Sequence, residues 1–397
     1  MPRVILILLL FFVFLVRPAE VPAREASSPS PAAAQDRPED SPLVKLYKSA
    51  PAGEVSKALA AGAKVNLPDA DGLTPLMLAA GFNSDPEVVT LLAAAGADLS
   101  ARENNYGLTA LMLAASGNMP GVVEALLEAG AEVDQRDLWG GTALYHAAGN
   151  SRNPGVTLFL LRAGADPEVA VNGRTPLMQA VAVGNKEALG VLLSRKAKVA
   201  SADQEGRTAL HLWAAAAEEP LLLTDLLQAG ADLEARTNEG LTPYLSAVAV
   251  NPALAVIEAL RAAGAETGGQ DRHGADALLL ASLSNPNPEV IKYLLRQGAD
   301  VNAVRPNGLT PLLAAAGNPA AEVARSLILA GADIEAVDAQ GRNALILATW
   351  LNPNEEVAKV MVGGGLDPLA TDREGRSAFD YAGGERPELL RFFKREP

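Results

Sequence analysis

A glycine that returns every 33 to 35 residues constrains this chain more than any other feature. It stands at Gly72, Gly107, Gly140, Gly173, Gly206, Gly240, Gly274, Gly308, Gly341 and Gly375. Two residues after each comes Thr, Asn, Asp or Ser, and then an apolar, helix-forming run. A second marker keeps step with the first: Gly-Ala-Asp at Gly96, Gly164, Gly230, Gly298 and Gly331, and Gly-Ala-Glu at Gly130 and Gly264. A period of this length means one small unit copied along the chain, each copy burying its apolar face against its neighbours. The 397 residues would otherwise suggest two or three globular domains, but an array grows without adding domains.

Each part of the unit has a local physical reason. Thr74 is placed to cap a first helix, and Pro75 sits at its first turn, where a missing N–H costs nothing. Leu76, Ala79 and Ala80 fall at helical spacing, and the alanines let neighbouring helices approach closely. Asn-Pro or Asp-Pro then marks the turn, at Asp85, Asn153, Asn251, Asn287, Asn318 and Asn352, and reads as the N-cap of a second helix. Gly96 can take the left-handed conformation that ends this helix. In the fifth repeat the corresponding stretch reads Arg195-Lys196-Ala197-Lys198, without the glycine, and marks a soft joint.

The segments Gly72-Leu73-Thr74-Pro75-Leu76-Met77-Leu78-Ala79-Ala80, Gly206-Arg207-Thr208-Ala209-Leu210-His211-Leu212 and Gly308-Leu309-Thr310-Pro311-Leu312 resemble the ankyrin-repeat family. Tetratricopeptide repeats share the period but lack both markers. The resemblance covers residues 43–397 and implies an all-α solenoid of about ten helix-turn-helix repeats with short β-hairpin fingers, capped at both ends. Leu43 to Asn66 reads as an opening helical pair without a finger. Ser377 to Ala382 resembles the family's terminal repeat, with Asp380 where inner repeats are apolar, and Arg386 to Lys394 reads as a closing helix. The histidine usual after Thr-Pro-Leu survives only as His211; Met77, Met112, Tyr145 and Met178 are among its replacements, so apolar packing is expected in its place.

The N-terminus carries a different signal. Arg3 precedes an apolar run from Val4 to Val16, too short for the ~20 residues of a bilayer span but suited to the core of a secretory signal peptide. Cleavage is expected after Ala23, giving a signal peptide over residues 1–23. Retention as an uncleaved anchor is the alternative, and membrane association is expected only in that case. Residues 24–42, rich in Pro, Ala, Ser and acidic residues, read as a disordered linker. Asn-X-Ser/Thr sequons are absent, in keeping with a bacterial source. The expected location is therefore periplasmic or secreted.

Composition removes several function classes. The net charge of −14 argues against nucleic acid or anionic lipid as the main partner. With no cysteine there is no disulfide, thiolate nucleophile or Cys-ligated metal. His146, His211 and His273 occupy different repeats and different repeat positions, so they cannot converge. His211 reads as a core hydrogen-bonding residue, His146 as packing and His273 as a solvated fingertip. Asp69, Asp137, Asp203, Asp271, Asp338 and Asp372 all stand three before a repeat glycine, which fits turn hydrogen bonding better than calcium. No catalytic, cofactor-binding or metal residues are assigned and no cofactor is expected.

The resemblance implies a protein partner, bound on a concave face made of fingertips and first helices. The fingertip positions give Tyr106, Leu138 and Trp139, then Arg174 and Arg207, then His273, Pro306, Arg342, Arg373 and Arg376; Phe82 and Trp350 follow the first-helix alanines. Tyr, Trp and Arg dominate binding hot spots, so Trp139 beside Tyr106 is the sharpest signal, with mutual packing of the fingers the competing role. Glu205, Glu239 and Glu374 could neutralise the arginines. Trp213 replaces a helix alanine and belongs to the core. The expected function is a monomeric, exported protein-binding module. A secreted effector engaging host proteins is the alternative, and an enzyme or metal-dependent protein stands last because its site ingredients are missing.

Overall fold

The computed structural model describes residues 42–117, 119–305, 308–383 and 386–394. The signal-peptide segment and the linker lie outside the described residues, apart from Pro42, which begins the first helix, Pro42–Ser49. Among the described residues there are 22 α-helices and one short 3-10 helix, arranged as consecutive helical pairs, and no strand. The opening pair, Pro42–Ser49 and Ala52–Ala60, has no finger before it, as its sequence suggests. The chain forms two compact units, one running to Ala209 and including Gln228–Ala231, the other made of Leu210–Leu227 and the chain from Asp232 onward.

The two helices of a pair differ in character because they face different surroundings. First helices are the more buried of the two: in Pro243–Val250 every residue from Pro243 to Ala249 is buried. Second helices keep one apolar stripe: in Pro86–Ala94, Val88, Val89 and Leu92 are buried while Glu87 and Thr90 face solvent. The caps form as expected, with Thr74, Thr109, Thr142, Thr175, Thr242, Asp276, Thr310 and Asn343 each accepting the backbone N–H three residues on. His211 is buried, its Nε2 2.9 Å from the Leu241 carbonyl in the next repeat. Where Met77 and Met112 replace this histidine, the contact becomes local, with Met77 Sδ 3.4 Å from the Thr74 nitrogen. Trp213 is in the core.

The asparagines hold a result that the dipeptide Asn-Pro conceals. Asp85, Asn153 and Asn287 do cap second helices. Asn251, Asn318 and Asn352 do not; their second helices begin at Leu254, Ala321 and Glu355, with Ala253, Ala320 and Asn354 in the cap position. Their side chains turn back to the preceding repeat instead. Asn251 Nδ2 donates to the carbonyls of Ala214 and Ala217 at 2.8 and 2.9 Å. Asn285 donates to Val248 and Asn251, Asn318 to Ser282 and Asn285, and Asn352 to Ala316 and Asn318. The backbone carbonyl of each asparagine thus receives the side chain of the next, and Arg386 Nη1 closes the series on the Asn352 carbonyl at 2.8 Å. Asn83 and Asn185 make the same contacts in the N-terminal unit, to Tyr47 and Ala50 and to Ala148 and Ser151. A primary amide offers two N–H donors, which matches the two carbonyls left over at the end of a first helix.

The fingers are short hairpins, closed by a backbone bond from the residue three before the repeat glycine to the residue one after it, as between Asp137 and Gly141 at 2.9 Å. Isolated bridges occur at Val171 with Arg174, Ala202 with Thr208 and Thr371 with Ser377. Glycine is required for two reasons at Gly240: its φ is 80°, and a Cβ there would lie 2.8 Å from the backbone nitrogen of Arg272. At the end of the fifth repeat Lys196 adopts φ 63° without being a glycine.

Replacing Asn285 with Ala strands two buried carbonyls and should destabilise the C-terminal unit by about 2–4 kcal/mol. Asn285→Asp should cost more near neutral pH, because a carboxylate would face carbonyl oxygens; equilibrium urea unfolding measures both. Lys196→Gly relieves left-handed strain of about 1–2 kcal/mol, offset by about 0.4–1 kcal/mol of added unfolded-chain entropy. A net gain of about 0.5–1 kcal/mol is expected. Gly96→Ala, whose Cβ would meet nothing within 4 Å, should lose a similar amount in the same assay.

Candidate partner-binding surface

The finger aspartates organise the tips. Asp137 Oδ1 accepts the N–H groups of Trp139 and Gly141 at 2.8 Å each. Asp69, Asp203, Asp271, Asp338 and Asp372 accept the two equivalent amides of their own fingers. In the finger with one extra residue, Glu103 does this work, accepting from Asn105, Tyr106 and Leu108. The longer side chain reaches across the added residue. Adjacent fingers are joined by single backbone bonds, including Leu138 N–H to the Tyr106 carbonyl at 3.0 Å.

The second oxygen of several finger aspartates decides the fate of the arginines. Asp203 Oδ2 takes Arg207 Nε at 2.8 Å, and Glu205 takes the same guanidinium at 3.1 Å. Asp338 Oδ2 binds Arg342, and Asp372 and Glu374 bind Arg376. Asp137 Oδ2 instead meets His146 Nε2 at 2.8 Å. Burial alone would raise the Asp137 pKa, but the His146 hydrogen bond and charge, with the two finger amides, hold it below the usual carboxylate range. Arg207, Arg342 and Arg376 are therefore neutralised within their own fingers.

The sequence-derived candidates fall into both units. In the N-terminal unit, the rings of Tyr106 and Trp139 pack with centroids 5.2 Å apart at 38°. Leu138 and Trp139 nevertheless leave 66% and 52% of their surface exposed. Among the described residues they are the only sequence-adjacent pair of large, exposed apolar side chains. One face of Trp139 packs on the neighbouring finger, and the rest is open. Phe82 is half-buried with Lys48 Nζ 5.1 Å from its ring centre, and Arg174 is half-buried in its finger bridge.

In the C-terminal unit, His273 at its fingertip approaches Glu239 Oε2 at 3.0 Å, and Arg272 binds the same carboxylate. Trp350 is half-buried in a column of rings and cations: Arg342 lies 4.8 Å from its ring centre, Tyr381 packs at 5.9 Å, and Arg376 covers Tyr381 at 4.8 Å. Arg373 is exposed, and Pro306 lies outside the described residues. Among the described residues no three His, Asp or Glu side chains come together to hold a metal ion, and no helix is long and apolar enough to cross a membrane.

The family described as "Ankyrin repeats (3 copies)" matches residues 46–137, 119–203, 144–219 and 278–372, and the single "Ankyrin repeat" matches 205–238. The chain belongs to the ankyrin-repeat family. Among solved structures it is similar to the ankyrin repeat domain of Bcl-3, described as a unique member of the IkappaB protein family, with 30% identity. That match covers 56% of this chain and 99% of the other, with a TM-score of 0.46. No curated protein matches. Its ankyrin repeats indicate a protein–protein interaction module, and proteins of this family are generally binding scaffolds.

Asp372 and Tyr381 give the terminal repeat a pH dependence. Burial would raise the Asp372 pKa, but the amides of Arg376 and Glu374, the Tyr381 hydroxyl at 2.7 Å and the Arg376 side chain outweigh it and lower it to about 2. Burial, followed by the hydrogen bond to Asp372, pushes Tyr381 up to about 12. The carboxylate's contribution is complete above an unfolded pKa of ~3.9 and is lost as pH falls through about 2. The tyrosine's contribution is complete below ~10 and is lost as pH rises through about 12. Tyr381→Phe should shift the Asp372 titration upward, measured by carboxylate NMR, and weaken the acid dependence of the terminal repeat's unfolding.

Proposed function

We propose that this protein is exported and binds a protein partner through the open faces of Tyr106, Leu138 and Trp139. The observation that carries the reading is this aromatic and aliphatic patch, held rigid on two hydrogen-bonded fingers and left uncovered. A preorganised ring loses little conformational entropy on binding, so each buried Å² yields more affinity than on a mobile loop. The arginine fingertips have a supporting part, because Arg207 and its equivalents already have partners at home. His273, Phe82 and Trp350 are likewise engaged in their own units. Catalysis is not part of this reading.

Export is supported by the apolar run from Val4 to Val16 and the small residues before Arg24. The mature protein would then act in the periplasm or outside the cell as a monomer. Mass spectrometry of the native protein should find an N-terminus at Arg24 in the periplasm or medium; an intact Met1 in the membrane fraction would replace export with a tethered array.

Tyr106→Ala with Trp139→Ala should weaken the complex with a co-purifying exported protein by about 30-fold or more. Binding is read by titration calorimetry, with the melting temperature checked in parallel. Unchanged affinity in the folded double variant would remove this surface from the binding site.

A further inference from the structure

Nine of the second-helix ends carry a glycine with positive φ, whereas the fifth repeat carries Lys196 at φ 63°. A strained residue at a place where glycine is otherwise the rule points to the side chain. Lys196 stands between Arg195 and Lys198, and all three are exposed. None of the three side chains has an ion pair or a hydrogen bond among the described residues. Glu168 binds the Lys198 backbone N–H at 2.7 Å and the Ser201 hydroxyl at 3.2 Å, and pairs with none of the three side chains. Lys196 and Lys198 border an open depression of about 770 Å³ whose walls include Leu193, Val199 and Ser201.

We infer that Arg195, Lys196 and Lys198 form a second binding site, for an acidic segment of a protein that also carries an apolar side chain. The cations meet its carboxylates and the depression takes the apolar group. Charge selects this occupant. Three unpaired cations within four residues are a local exception on a chain of net charge −14. A narrow acidic peptide can reach them without approaching the rest of the surface, whereas an anionic bilayer would bring its whole plane against like charge. The site shares no residue with the Tyr106 and Trp139 surface and does not rest on it.

The test uses the mature chain and a fluorescein-labelled peptide alternating glutamate pairs with leucine, followed by fluorescence anisotropy. The control peptide has glutamine for glutamate. The acidic peptide should bind at least about tenfold more tightly than the control, and Arg195→Glu with Lys198→Glu should remove that difference. Lys196→Gly should weaken binding about threefold while raising the melting temperature, which separates lost contact from lost fold. Trp139→Ala should leave this binding unchanged, so failure of the aromatic surface and failure of this site are told apart. Equal binding of the two peptides, absence of binding by the acidic one, or an equal loss in Trp139→Ala would overturn the inference. So would capture of the chain by phosphatidylglycerol vesicles without peptide binding, which would assign the patch to lipid.

Discussion

A buried primary amide reaching back to two helix-end carbonyls is the contact on which the stacking of these repeats depends. First helices such as Pro243–Val250 and Ala277–Ser284 are buried along almost their whole length, so the carbonyls at their C-terminal ends need protein donors. Asn251, Asn285, Asn318 and Asn352 each supply the missing donors from the following repeat, and each leaves its own carbonyl to be served in turn. The chain of dependence must end where the repeats end. In the last described repeat Arg386 takes the place of the asparagine, its guanidinium donating to the Asn352 carbonyl. The capping repeat is therefore more than a polar cover; it completes the hydrogen bonding of the last inner one.

With the core committed to stacking and the turns to glycine, chemical freedom is left at the fingertips. Even there much is spent locally. One oxygen of each finger aspartate fixes the hairpin, and in Asp203, Asp338 and Asp372 the other holds an arginine of the same finger. Arg207, Arg342 and Arg376, each just after a repeat glycine, are held four residues from such an aspartate and neutralised, so an arginine at that place is weak ground for a binding site where the finger carries the aspartate. Aromatic and aliphatic tips have no such internal partner. Trp139 can pack one face on Tyr106 and still present another.

Much of this was legible residue by residue. Thr74 and its equivalents cap as their position implies, the aspartates bind turn amides, His211 is a buried inter-repeat donor, and Lys196 takes the left-handed conformation that its register demands. The asparagines differ from their expected role because Asn-Pro is locally ambiguous. Asn153 and Asn251 sit in the same dipeptide, yet one caps a helix and the other spans two repeats. The distance to the repeat glycine distinguishes them: Asn285 and Asn352 precede the cap residues Asn287 and Asn354 by two, in a fixed register from Gly274 and Gly341. The pairing of each arginine was open for a similar reason, since Glu205 and Asp203 are both within reach in sequence and the guanidinium takes both.

The sequence by itself determined the repeat, its helices, its turns and its caps, because those follow from periodic burial and from residues whose backbone preferences act within a few positions. Only the tertiary structure decided which polar side chains cross between repeats, which cations are neutralised and which are left free, and how much of Trp139 remains open. Those outcomes depend on donors and acceptors about 34 residues apart meeting in space, and residue type alone does not fix a distance.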